Sequence, residues 1–129
     1  MRRVVHLLGG MLLGALLATS PQRIRAIAPQ DPVATSPQYY KVLIDNDQVR
    51  VLEYRLKPGE KEAMHSHPAG VVRYLADATF RTTTSVGKES ESSVHIGQTI
   101  WRDATTHASV NVGTTEAIAF AIELKKTCS

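Results

Sequence analysis

The chain has 129 residues, 43% of them hydrophobic, with 15 Lys and Arg against 12 Asp and Glu for a formal net charge of +3. That length holds one domain with a sizeable core and excludes two ordinary ones. Arg2, Arg3, Arg23 and Arg25 precede residue 29 and no acid does, so the body carries 11 basic against 12 acidic residues, a balance that excludes nucleic acid as an electrostatic partner.

Met1-Arg2-Arg3 is a basic start, and Val4 to Ala18 follows as an apolar run without Asp, Glu, Lys or Arg. This is the pattern of a secretory signal peptide, and the run is shorter than the ~20 residues that anchor a helix across a bilayer. We therefore read a signal peptide over 1–28, a periplasmic or secreted protein, and no stable membrane anchor. Ala26-Ile27-Ala28 has small residues at the spacing of a cleavage site, but Pro29 behind it hinders cutting, and the site is placed only between residues 19 and 34. His6 falls in this leader and is set aside. Residues 21–37 carry four prolines and no hydrophobic period, so 29–38 reads as a loose linker.

From Tyr39 the texture changes to short apolar and alternating runs split by turn residues, the signature of an all-β domain over 39–126. Nine strands are predicted: Tyr39 to Ile44, Val49 to Leu56, Lys61 to His67, Val71 to Ala76, Thr79 to Thr84, Ser92 to Ile96, Ile100 to Arg102, Ala108 to Val112 and Glu116 to Leu124. Leu52, Tyr54 and Leu56 form one buried stripe. The last strand is apolar on both faces, Ala117, Ala119 and Ala121 alternating with Ile118, Phe120 and Ile122, so it should run through the middle of the packing. The Thr- and Ser-rich stretches 79–84 and 88–93 read as an exposed hairpin, with His95 in one of its strands as a surface residue. Residues 127–129 form a tail, whose Cys128 is the only cysteine, so no intrachain disulfide is possible.

Candidate chemistry centres on Pro58-Gly59 and the His65-Ser66-His67 that follows. Pro-Gly favours a sharp turn, and in an extended strand residues i and i+2 share a face, so His65 and His67 can grip one metal ion. A third imidazole is available at His107, which shares a face with Ser109 and Asn111, while Ala108, Val110 and Val112 share the other. Periodicity does not decide which of those faces points inward. Gly-rich phosphate loops, a Ser-His-Asp order and paired carboxylates are absent from the sequence, which argues against nucleotide and hydrolytic-triad chemistry.

Gly59, five residues, His65, Ser66, His67 resembles the start of the first motif of the cupin superfamily, G-x5-H-x-H-x3,4-E-x6-G. The segment from Gly97 through Trp101-Arg102-Asp103 to His107 and Asn111 is similar to the second motif, which ends in a histidine followed by three residues and asparagine. The resemblance implies a double-stranded β-helix, the cupin jelly-roll barrel, with His65, His67 and His107 as metal ligands facing its interior. It also implies a small-molecule substrate or ligand and a homodimer.

The chain departs from the motif at the glutamate, whose place falls at Val71 or Val72, and at the Pro-x-Gly of the second motif, here Asp103-Ala104-Thr105. Three neutral imidazoles around a divalent ion leave a site of about +2 rather than about +1, which favours an anionic or chelating ligand. Three-histidine sites of this kind resemble those of cupin thiol and diketone dioxygenases, and the resemblance implies such an activity, with Fe(II) as its metal, while Zn, Mn, Ni or Cu also suit the donor set. The alternative is a non-catalytic module with a structural or vestigial metal site. Asn111, Arg73, Tyr74 and Trp101 are candidates for supporting the ligands or touching substrate, and Arg102 and Asp103 are expected to pair locally at a turn.

Overall fold

A computed structural model describes residues 30–126. The expected signal peptide over 1–28 with His6, and the tail with Cys128, lie outside the described residues. Among the described residues no helix is long and apolar enough to cross a membrane. The described residues run through α1 (Pro32–Thr35) and nine strands, β1 (Tyr40–Asp45), β2 (Val49–Leu56), β3 (His65–His67), β4 (Gly70–Tyr74), β5 (Ala78–Thr84), β6 (Glu89–Val94), β7 (Thr99–Arg102), β8 (Thr105–Asn111) and β9 (Ala117–Leu124). These build two antiparallel sheets, one in the order β1-β2-β9-β4-β7 and the other in the order β3-β8-β5-β6, the two-sheet arrangement of a double-stranded β-helix.

Each expected strand is present, and the shifts in their ends have local causes. β3 starts at His65 instead of Lys61, which keeps only an isolated bridge to Val110. The intervening backbone is drawn off the ladder: the Ala63 N–H donates to Ser36 Oγ at 3.1 Å and the Ala63 carbonyl lies 2.7 Å from the His65 ring. The Pro58-Gly59 turn forms with Gly59 at φ 81°, a left-handed conformation that glycine adopts without a Cβ clash.

Residues 30–38 are not the loose linker expected from their prolines. Asp31 caps α1, its carboxylate accepting from the Val33 N–H at 2.9 Å, and Pro32 occupies the start of the helix. Both are N-terminal helix signals, since a capping oxygen meets an otherwise unpaired N–H and proline there has no donor to lose. Pro32 and Ser36 are buried, and the Ser66 N–H donates to the Gln30 carbonyl at 2.8 Å, so the segment is fastened beside β3.

β9 lies at the centre of the five-stranded sheet, between β2 and β4. Its alanines 117, 119 and 121 are buried in the interior, while Ile118, Phe120 and Ile122 are half-buried on the other face. The small inner side chains leave room for Tyr40, Tyr54 and Phe80, which pack with Leu52, Leu56 and Val72 into the core. Tyr40 and Tyr54 lie at 5.1 Å between ring centroids, within the range of favourable aromatic pairs. A bulkier face on β9 would fill the barrel, and the alanines instead leave a cavity of about 200 Å³ in it.

Gly70 is required where β4 passes β9. A Cβ there would be driven into the Ile122 carbonyl and would lie 3.1 Å from Glu123 Cα, both backbone atoms that cannot swing aside. Gly70→Ala should therefore cost about 3 kcal/mol of stability, at the upper end for overpacking, whereas Gly87→Ala, in an open turn at φ 82°, should cost about 1–2 kcal/mol. Denaturant unfolding of the two variants checks the order, and an equal or smaller loss for Gly70→Ala would refute this account of the crossing.

Candidate metal centre

β3 and β8 pair antiparallel with His65 directly opposite His107 and His67 opposite Thr105. Opposed residues in an antiparallel pair share a face, so this register settles what periodicity left open: the His107, Ser109, Asn111 face of β8 points inward. Ser66, on the other face, bonds Thr106 across the pair at 2.7 Å. His65 and His67 are 1% and 4% exposed, and His107 is half-buried. Their rings gather with centroids 4.6 Å apart for 65–67, 4.9 Å for 65–107 and 5.4 Å for 67–107. One ring nitrogen from each lies within 4.8 Å of the others.

The backing of the rings identifies their protons. His65 Nδ1 lies 2.7 Å from the Ala63 carbonyl and His67 Nδ1 lies 2.6 Å from Glu123 Oε1, so each Nδ1 carries the proton and donates it. Both Nε2 atoms then present lone pairs, and these face each other at 2.8 Å. Two lone pairs at that distance repel unless something positive lies between or beside them. Ligand nitrogens on one metal at about 2.1 Å, set at right angles, stand about 3 Å apart. The three-histidine group therefore fits a divalent ion by its donor chemistry as well as its spacing.

Burial completes this electrostatics. Desolvation lowers His67 to about 4, against a smaller rise from the Glu123 hydrogen bond, and lowers His107 to about 3, helped by the neighbouring imidazoles. His65 is lowered for the same first reason. The rings are thus neutral and able to ligate at neutral pH.

Behind His67 stands a chain of ion pairs. Glu123, 1% exposed, accepts from Arg50 Nε at 2.8 Å and Nη2 at 2.7 Å, and Arg50 Nη1 lies 2.5 Å from Asp31. Burial pushes Glu123 up, but the His67 and Arg50 hydrogen bonds outweigh it and hold the carboxylate below its usual range. A carboxylate behind a ligating imidazole fixes the ring orientation and raises its basicity.

The cavity opens from His67 and His107 and is lined further by Tyr54, Glu62, Tyr74 and Arg102. Glu62 is 2% exposed, with Oε2 accepting from the Tyr40 hydroxyl at 2.6 Å and standing 4.0 Å from His65 Nε2. Burial pushes its carboxyl up to about 7 against the hydrogen bonds from Tyr40 and Ser109. Arg102, the last residue of β7, points inward on the same face as Ile100, and its Nε and Nη2 are buried with no hydrogen-bond partner among the described residues.

Of the supporting residues expected from sequence, Tyr74 lines the cavity and the others stand elsewhere. Arg73 alternates outward, is exposed and donates to Thr99 Oγ1 at 2.8 Å. Trp101 is 57% exposed and donates to Asp103 at 2.9 Å, which also displaces the expected Arg102–Asp103 pair. Asn111 is fully buried and acts as a backbone clamp, donating to the Leu56 and Thr115 carbonyls at 2.8 Å and accepting from the Gly113 N–H at 3.0 Å. His95 is on the surface beside Asp77. Val72 faces the cavity and Val71 faces away from it, so Glu62 supplies the carboxylate of the interior from a different position.

Glu62, Glu123 and Arg102 were missed by the sequence reading. Two of them carried a signal in the period of 2: Glu123 continues the inward parity of Ala117, Ala119 and Ala121, and Arg102 that of Ile100.

Comparison with solved structures places this arrangement among known folds. A cupin domain from Bordetella pertussis Tohama I matches at 29% identity and TM-score 0.62, covering 67% of this chain and 92% of that one. A double-stranded β-helix protein from Klebsiella pneumoniae matches at 15% identity and TM-score 0.52, over 68% and 84% of the two chains. An RmlC-like cupin family protein from Methanocaldococcus jannaschii matches at 11% identity and TM-score 0.54, over 67% and 78%. No family model and no curated protein sequence matches the chain.

Metal analysis of the purified protein should find about one equivalent of a divalent ion, lost in His65→Ala/His67→Ala, while Glu123→Gln should weaken its affinity about 10- to 100-fold. Equal metal content in the wild type and the double variant would sink the site. The metal-free protein should also lose stability as pH falls from about 6.5 toward about 4, because the unfolded chain takes up protons that His67 and His107 refuse when folded. Flat stability across that window in acid-titrated melts would contradict the burial argument.

Proposed function

This chain is a cupin by fold, and we propose that it is a metal-dependent dioxygenase acting on a small anionic or chelating substrate. The observation that carries the proposal is the convergence of the inward lone pairs of His65 and His67, whose other nitrogens are committed to Ala63 and Glu123, beside His107. The ion would be held by Nε2 of His65, Nε2 of His67 and a ring nitrogen of His107. It would supply Lewis acidity and, as Fe(II), the one-electron chemistry with O₂ that an organic side chain lacks.

The remaining work falls to the chain's own residues. Glu123 and the Ala63 carbonyl orient the two buried imidazoles, so no ordering of the rings is needed when a substrate arrives. The Tyr40 hydroxyl gives its hydrogen bond to Glu62, which keeps a proton on Oη at 3.2 Å from His65 Nε2. Core side chains Val72, Phe80 and Ala121 form an apolar part of the cavity wall, which lowers the local dielectric and strengthens the charges beside it.

An all-nitrogen donor set binds zinc and copper more tightly than iron, so metal identity would be set by supply. The basic start and apolar run of residues 1–18 support export, and we include a periplasmic or secreted location in the proposal. Val72, in place of a carboxylate beside the imidazoles, favours a second reading, a ligand-binding module with a structural metal.

Oxygen uptake by iron-loaded protein, offered a panel of thiols and diketones, separates the two. Uptake above that of free iron, abolished in His107→Ala, is the expected result, and tight metal without uptake would establish the module.

A further inference from the structure

The segment 30–36 meets the supports of the candidate metal centre at three points. The Gln30 carbonyl accepts from the Ser66 N–H at 2.8 Å, at the residue between the two buried histidines. Ser36 Oγ accepts from the Ala63 N–H at 3.1 Å, and the carbonyl of that same Ala63 takes the His65 Nδ1 proton. Asp31 binds Arg50, whose other nitrogens hold Glu123 behind His67. Each attachment thus leads to the backing of His65 or His67.

The third path is the most specific, because of how its atoms are shared. Glu123 Oε1 accepts from His67 Nδ1, and Oε2 accepts from both Nε and Nη2 of Arg50. Arg50 is left with Nη1, which meets Asp31 Oδ2 at 2.5 Å, so the guanidinium is held from two sides. Asp31 Oδ1 accepts from the Val33 N–H, so one carboxylate both caps α1 and anchors Arg50. The side chains pass from 42% exposed at Asp31 through 18% at Arg50 to 2% at Glu123, a path from solvent to the interior.

An ion pair with so exposed a member adds little stability by itself. Its consequence is orientation: an Arg50 released on that side can swing on its long side chain, and Glu123 and the His67 ring lose their fixed partner. β3 is the edge strand of its sheet, and covering that edge takes only a backbone bond such as the one Gln30 supplies. Edge cover does not account for a carboxylate aimed at Arg50.

We infer that Asp31 is a positioning residue of the metal centre, setting the His67 ring through Arg50 and Glu123, and that segment 30–36 is a working part of the site rather than a remnant of the leader. The inference rests on the metal reading only for its zinc measurements, since the ring is positioned with or without an ion. Any processed form of the chain must then keep Asp31, which restricts the cleavage window of 19–34 to bonds before that residue.

The test uses the purified full-length chain and Asp31→Asn, a substitution that keeps a good helix cap while removing the charge beside Arg50. In metal-free protein, proton–nitrogen correlation spectra of the imidazole rings should show the His67 Nδ1–H signal shifted in Asp31→Asn, with the surface His95 signals unchanged. Zinc affinity, read by competition with a chelating dye, should fall about three- to tenfold, less than in Glu123→Gln because the effect passes through two side chains. In a Glu123→Gln background the same substitution should change affinity by less than about twofold, since the path is already cut.

An unshifted His67 signal, an unchanged zinc affinity, an equal loss in the wild-type and Glu123→Gln backgrounds, or a mature start beyond Asp31 in the intact mass would each overturn the inference. A shifted signal in a chain that takes up no zinc would leave the inference standing and remove the metal reading. Stoichiometric zinc with an unshifted signal would do the reverse.

Discussion

The antiparallel pairing of β3 with β8 is the constraint on which the site depends. Setting His65 opposite His107 puts three imidazoles on one inward face with no loop involved, and sheet hydrogen bonds then fix the backbone beneath them. A slip of β3 by one residue would turn His65 and His67 to the outer face, away from His107. The register is held from both sides, by the Ser66–Thr106 hydroxyl contact across the outer face and by the attachment of residues 30–36 along the β3 edge. A site built on strands in this way has its geometry before any ligand arrives.

The interior it faces is unusual in its charge. A barrel of this size would ordinarily bury apolar side chains, yet Glu62, Glu123 and Arg102 all point inside. Two of the three are accounted for within the protein: Glu123 is saturated by Arg50 and His67, and Glu62 is bonded to Tyr40. Burying ionisable groups is unfavourable unless each is paired, so their retention marks the cavity as a place where chemistry outweighs stability. The alanine face of β9 makes the space available, since Ala117, Ala119 and Ala121 leave a hollow that larger residues would close.

Much of the fold was legible because β-structure writes itself at period 2. The Leu52-Tyr54-Leu56 stripe and the doubly apolar β9 were enough to place the core and the central strand, and the turn at Pro58-Gly59 followed from the φ preferences of its two residues. The α1 segment was misread because four prolines outweighed a capping aspartate and a proline at the helix start. In the site, His65 and His67 followed from local spacing alone. Trp101 and Arg73 were over-read as neighbours of the motif, when alternation sends them outward. Arg102 was paired with its sequence neighbour, although the same alternation sends it in.

The sequence by itself determined what is local: an all-β body, the facing of a His-x-His pair, and the class of donors offered to a metal. Which face of β8 is buried, the meeting of Glu123 with His67 across 56 residues, and the presence of Glu62 in the interior were decided only in three dimensions. The physical reason is that a strand's period says which residues share a face, but the choice of face and partner belongs to the pairing register. That register is a property of two strands together and is written in neither one.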